Sequence, residues 1–225
     1  MIKKNYKTIM KSSYAVLMAW GLLCFCPCML VSCSESDDTV NEYENWQQRN
    51  DTYFSARYQA AQDSIAAGKD DWKLVRVFSK VSDDICSSTD YVVAHVLDED
   101  TSGDEYDDYY TGDTPEYTDS VLIHYRAHLI PSISYPDGYQ FESTWIGNYD
   151  LSTMIPSRMK VSGMIVGLSS AVMQMHAGDR WELYIPYRLG YNATETSGIP
   201  AYSTLIFDVT LHAIGKPGKA MPAVR

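Results

Sequence analysis

The chain has 225 residues, room for one domain with or without extensions. Its aromatic share of 12% supplies a sizeable core. A net charge of −11 argues against nucleic acid as a partner, because phosphate-binding surfaces need basic residues in excess.

Residues 1–32 read as a secretory leader. Lys3, Lys4, Lys7 and Lys11 form a basic start, and an apolar segment follows from Tyr14 through Val31. Leu30-Val31-Ser32-Cys33 then places a cysteine after small and aliphatic residues. That ending resembles a bacterial lipobox, which implies that Cys33 is lipidated and becomes the mature N-terminus. The competing reading is a transmembrane anchor with an incidental cysteine, since the apolar run approaches the ~20 residues a span needs. Cleavage before Cys33 removes the four lysines, so 18 basic residues become 14 against 29 acidic ones, a balance of about −15. It also removes Cys24, Cys26 and Cys28, which lie in the apolar leader and not in a metal site. Cys86 is then left without a disulfide partner. Ser34-Glu35-Ser36-Asp37-Asp38 resembles the export tag of surface lipoproteins in Bacteroidetes-type bacteria, the alternative being a solvated linker. Lipid attachment anchors the chain while the polypeptide itself remains soluble.

Asn41 to Ala67 is predicted as a helix. Asn41 and Glu44 fit a capping box, Trp46, Tyr53, Phe54, Tyr58, Ala61 and Ile65 recur at helical spacing, and Gly68 ends it. The aromatic stripe either packs on its own domain or serves a dimer-forming or spacing helix. Within Asp71–Val81, Leu74, Val75, Val77 and Phe78 begin a sheet, and Tyr91–Leu97 is a clear strand. Asp98 to Asp113 is an acidic loop whose start copies half of a calcium loop. Tyr109 stands where the bidentate Glu belongs, so a solvated loop is the expectation.

Val121–Leu129 alternates as a strand with Val121, Ile123 and Tyr125 on one face. Ile130–Gly138 is a loop, and Tyr139–Trp145 is a short strand. Apolar residues from Val161 to Met175 recur with helical spacing up to Gly178. A turn at Gly178-Asp179 leads into an apolar run, Trp181–Ile185, stopped by Pro186. After a loop carrying Tyr191 and Gly198-Ile199-Pro200, Ser203–Leu211 alternates. Leu205, Phe207, Val209 and Leu211 share one face there, and Thr204, Ile206, Asp208 and Thr210 the other. Many strands around one short helix make an α+β fold with an antiparallel sheet.

The wording WELYIPYRLGY followed by GIPAYSTLIFDVTL resembles the C-terminal half of FKBP-type peptidyl-prolyl cis-trans isomerases. From about Tyr91 to Ile214 the order of elements follows that family. The resemblance implies an FKBP-like domain over residues 71–215, an antiparallel sheet wrapped around one short α-helix. An acidic linker and N-terminal helix (33–70) precede it, and a tail (216–225) follows. It further implies a pocket of Tyr125, Phe141, Glu142, Val161, Met164, Tyr191, Ile199 and Phe207, with Leu151 at a further wall position. Phe141, Phe207 and Tyr125 are expected to grip a proline ring, while the Val161 N–H and the Tyr191 hydroxyl hold substrate carbonyls.

Such a pocket suits the reaction. An X–Pro bond resists rotation by roughly 18–20 kcal/mol through amide resonance, and a dry apolar wall favours the twisted, less polar state. No nucleophile, cofactor or metal is needed. His124 and His128 share a strand face but lie roughly 13 Å apart at ~3.3 Å per residue, too far to chelate one ion. Three residues depart from the family: Met164 where Trp forms the floor, Glu142 where Asp is usual, and Asn192 where Gly follows the Tyr. The implied partners are proline-containing polypeptides and a membrane reached through Cys33, with a homodimer through the N-terminal helix as a further arrangement. The expected location is the outer membrane, on its periplasmic side or at the cell surface. The alternative function is a binding or chaperone module of the same fold with little turnover.

Overall fold

The computed structural model describes residues 41–81, 84–98 and 114–221. The expected leader, Cys33, the acidic tag and the acidic loop from residue 99 to 113 lie outside the described residues.

Among the described residues seven strands form one sheet: β1 (Trp72–Arg76), β2 (Tyr91–Asp98), β3 (Ser120–Leu129), β4 (Gln140–Ser143), β5 (Ser157–Lys160), β6 (Arg180–Ile185) and β7 (Leu205–Gly215). Their spatial order is β1-β2-β6-β7-β3-β4, with β5 also on β3, and the pairings are antiparallel. β4 pairs with Arg126–His128 and β5 with Ser120–Ile123, so one outer position is shared by two short strands. Sequence alternation alone does not mark β5, because Ser-Arg-Met-Lys carries a single apolar residue.

The central strands are buried on both faces. Leu183 faces Phe207, which faces Ala127, and Ile185 faces Leu205; these side chains point to one side. Tyr184 and Ile206 point to the other side. The second face of β7 is therefore not a solvent face: Ile206 and Thr210 are buried, as is Leu205 on the first.

A helix covers each side. α1 runs over Trp46–Ala66, shorter at its start than the expected Asn41–Ala67. Glu44 donates its N–H to the Asn41 carbonyl in a plain turn (3.1 Å), and no capping box forms. Asn45 occupies the cap position with φ 51° and makes no side-chain cap bond. The far end is as expected: Gly68 takes φ 78°, and the N–H groups of Gly68 and Lys69 reach back to Ile65 and Ser64.

Trp46, Asn50, Phe54 and Ala61 form the buried face of α1. Trp46 Nε1 donates to Ser203 Oγ (2.9 Å), and Asn50 Oδ1 accepts the Thr204 N–H (2.7 Å). Tyr53 lies against Tyr184, and Arg57 stacks on that ring at 5.0 Å. The aromatic stripe therefore covers its own sheet.

On the opposite face the expected helix Val161–Met175 is broken. Val161–Gly163 makes one 3₁₀ turn, Met164 and Ile165 are extended, and α2 spans only Val166–Val172. Gly178 lies beyond it, in the turn into β6, where φ is 98° and its N–H donates to the Leu211 carbonyl. Apolar spacing does not distinguish a 3₁₀ turn followed by an α-helix from one continuous helix. α2 packs closely: a side chain at Gly167 would sit 2.4 Å from Ile185 Cγ2.

Candidate active site

Four of the expected residues meet directly on the α2 side of the sheet. β3 supplies Tyr125 and β7 supplies Phe207, with ring centroids 6.2 Å apart. Phe141 of β4 meets Phe207 edge-on at 6.1 Å, an arrangement that favours the ring quadrupoles. Tyr125 Oη donates to Glu142 Oε1 at 2.5 Å. The extra methylene of Glu142 therefore does not carry its carboxylate away from the tyrosine.

The backbone fixes this meeting. β4 shifts register between Ala127 and His128, and the chain then turns back on Tyr125. Thr144 donates its N–H to the Tyr125 carbonyl (2.9 Å), and its hydroxyl accepts the Tyr125 N–H (3.0 Å). Both backbone groups of Tyr125 are thus held by one residue of the neighbouring segment.

Burial, then the hydrogen bond to Glu142 and the Glu142 charge, push the Tyr125 hydroxyl well above the ordinary tyrosine range. It stays a donor throughout the physiological range. Tyr191 is also raised, first by burial and then by the charge of Glu142. It lies at the rim with 37% of its surface exposed. Asn192 takes the left-handed backbone (φ 58°) expected of a residue replacing Gly, and its N–H closes on the Tyr187 carbonyl.

The remaining expected residues are placed differently. Val161 and Ile199 are buried and belong with Met164 to the apolar cluster that includes Tyr125 and Phe207. The Val161 N–H, however, donates to the Asp119 carbonyl (3.0 Å). It is not available to a substrate. Among the described residues no hydrogen bond is donated by the N–H of Ile165, just ahead of α2. Because α2 starts at Val166, the side chain its first turn buries is Leu168, with Met164 half-buried ahead of it. Leu151 sits in an exposed turn.

The histidines lie apart from this cluster. His124 is buried beside His212, ring centroids 5.7 Å apart, on the other side of the sheet. No group of three metal-binding side chains occurs among the described residues.

Residues 112–212 match the sequence model of FKBP-type peptidyl-prolyl cis-trans isomerases. Over this segment, a little under half of its length, the chain is similar to that family. The macrophage infectivity potentiator of Trypanosoma cruzi is 36% identical over 110 residues, covering 48% of this chain and 50% of the relative. The FKBP-type 22 kDa peptidyl-prolyl cis-trans isomerase of Escherichia coli K12 is 36% identical over 101 residues, covering 44% and 43%. The chain thus spans half or less of the length of these relatives. Among solved structures, the Escherichia coli FkpA crystal structure aligns at 18% identity and TM-score 0.47, covering 96% of this chain and 74% of that one. A Pseudomonas syringae peptidyl-prolyl isomerase aligns at 21% identity and TM-score 0.48, covering 79% and 99%.

Proposed function

We propose that the protein is a peptidyl-prolyl cis-trans isomerase acting on exported polypeptides through the aromatic cup. The observation that carries this reading is the convergence of Tyr125, Phe141 and Phe207 from three strands beside Glu142. A proline ring enters between the three rings, with Met164 and Leu168 below. The surrounding apolar side chains exclude water, so the planar, charge-separated amide loses solvation and the twisted amide does not. The Ile165 N–H holds a substrate carbonyl, and the rim hydroxyl of Tyr191 holds another. Tyr125 and Glu142 fix one wall by their mutual hydrogen bond.

The test is the refolding or exchange rate of a proline-limited peptide with the lipid-free protein. Acceleration is expected, with loss on Phe207→Ala and on Tyr191→Phe. An unchanged rate in both variants would refute the pocket assignment. The half-exposed Tyr191 and the flexible Met164 favour a second reading, a holding module. Peptide binding seen by NMR without faster exchange selects it.

The leader, the lipobox resemblance at Cys33 and a Legionella longbeachae relative named outer membrane protein MIP support an envelope lipoprotein. That relative is 33% identical over 107 residues. Among the described residues no helix is long and apolar enough to cross a membrane. Mass spectrometry of the mature N-terminus, with Cys33→Ser as control, reads the modification. A homodimer through α1 uses the face carrying Gln47, Gln48 and Asp51, because the aromatic face is already covered.

A further inference from the structure

A second surface lies along β1, at the opposite end of the sheet order from β4. The antiparallel ladder with β2 has a fixed phase. Val96 donates to the Asp71 carbonyl (2.7 Å) and Val77 donates to the Asp90 carbonyl (2.9 Å), so Asp71, Lys73, Val75 and Val77 direct their backbone groups at β2. The N–H and C=O groups of Trp72, Leu74 and Arg76 consequently point away from the sheet, and no hydrogen bond to them occurs among the described residues. Phe78, next in phase, gives its N–H to Ser170 Oγ (3.2 Å), which closes the row at one end.

A groove of about 560 Å³ runs beside this edge and is lined by every residue from Lys73 to Phe78, together with Lys80, Gln174 and Trp181. Consecutive strand residues point to opposite faces, so a groove touching all of them follows the strand's edge. Phe78 is 41% exposed and offers an apolar contact. Lys73, Arg76 and Lys80 make the lining basic in a chain of net charge −11. Lys73 stands over the Trp181 ring at 4.9 Å, and Lys80 is paired with Asp90 at 3.3 Å.

We propose that the edge of β1 accepts an extended acidic segment of another polypeptide as an added strand. The row Trp72, Leu74 and Arg76 supplies main-chain hydrogen bonds at two-residue spacing, and the cations select carboxylate-bearing side chains. Exposed edges otherwise invite unspecific pairing, and cations are a common guard against it. Here the same charges repel basic strands and admit acidic ones. The site is separate from the aromatic cup and does not rest on the isomerase reading.

The probe is a fluorescent hexapeptide alternating valine and glutamate, with an otherwise identical valine–lysine peptide as control. Fluorescence anisotropy should show binding of the acidic peptide alone, weakened by salt. Arg76→Glu should weaken it roughly threefold to tenfold, the range for removing one exposed ion pair and adding one repulsion. Hydrogen exchange should show the Leu74 and Arg76 amides protected by peptide, while exchange of a short proline peptide stays unchanged in the Arg76→Glu variant. Equal binding of both peptides, or binding without protection of those two amides, overturns the proposal. So does competition by a proline peptide that fills the cup.

Discussion

Acidification should expose the cost of burying His124. The ring is 1% exposed, and burial first, then the neighbouring His212, hold its pKa at about 4 against an ordinary 6.5. Between those two values the unfolded chain binds a proton that the folded chain refuses. Stability from this group is therefore complete above pH 6.5, falls as pH drops toward 4, and falls no further below that. A shift of this size corresponds to about 3 kcal/mol in total, of which about 2 kcal/mol is lost by pH 5. His212 is lowered by the same burial and adds in the same direction. Urea unfolding followed by tryptophan fluorescence at pH 7.5 and pH 5 measures the loss, and His124→Leu isolates it. Glu42 and Asp90 have lowered pKa values and lose their contribution at lower pH, equally in both proteins. The variant should lose about 2 kcal/mol less between the two pH values than the parent. Equal losses, within about 0.5 kcal/mol, refute the reasoning.

Three further outcomes follow from the packing. Asn50→Ala removes the acceptor of the buried Thr204 N–H and should cost about 1–3 kcal/mol in urea unfolding. Gly167→Ala should destabilise by about 1–3 kcal/mol despite alanine's better helix propensity, because its methyl would press on Ile185 Cγ2 and Leu189 Cβ. A rise in the thermal midpoint would show that α2 moves aside freely. Tyr125→Phe should lower kcat/KM on a proline peptide and cost about 0.5–1.5 kcal/mol of stability, since the exposed Glu142 carboxylate exchanges the lost hydroxyl for water. An unchanged kcat/KM would remove the pair from the site.

The strand-forming stretches were plain in the residues themselves. Tyr91–Leu97, Val121–Leu129, Trp181–Ile185 and the run through Phe207 combine β-branched and aromatic side chains between breakers, and each is a strand. The aromatic residues that converge were named from a family resemblance, since no spacing along the chain brings Tyr125, Phe141 and Phe207 together. Other details were decided by long-range contacts. Helical periodicity continued through Val161, yet the Asp119 carbonyl takes the Val161 N–H and a 3₁₀ turn closes there. The Asn41–Glu44 pattern satisfied a capping rule, but the helix starts at Trp46, where the indole N–H reaches Ser203, 157 residues away.

Local sequence thus determined where the longer strands and the long helix lie, because side-chain periodicity and turn chemistry act over a few residues. Only the tertiary structure decided which backbone donors are already engaged and which remain open at Ile165 and along β1. A hydrogen bond is made by whichever group the fold brings within reach, and that partner can lie anywhere in the chain.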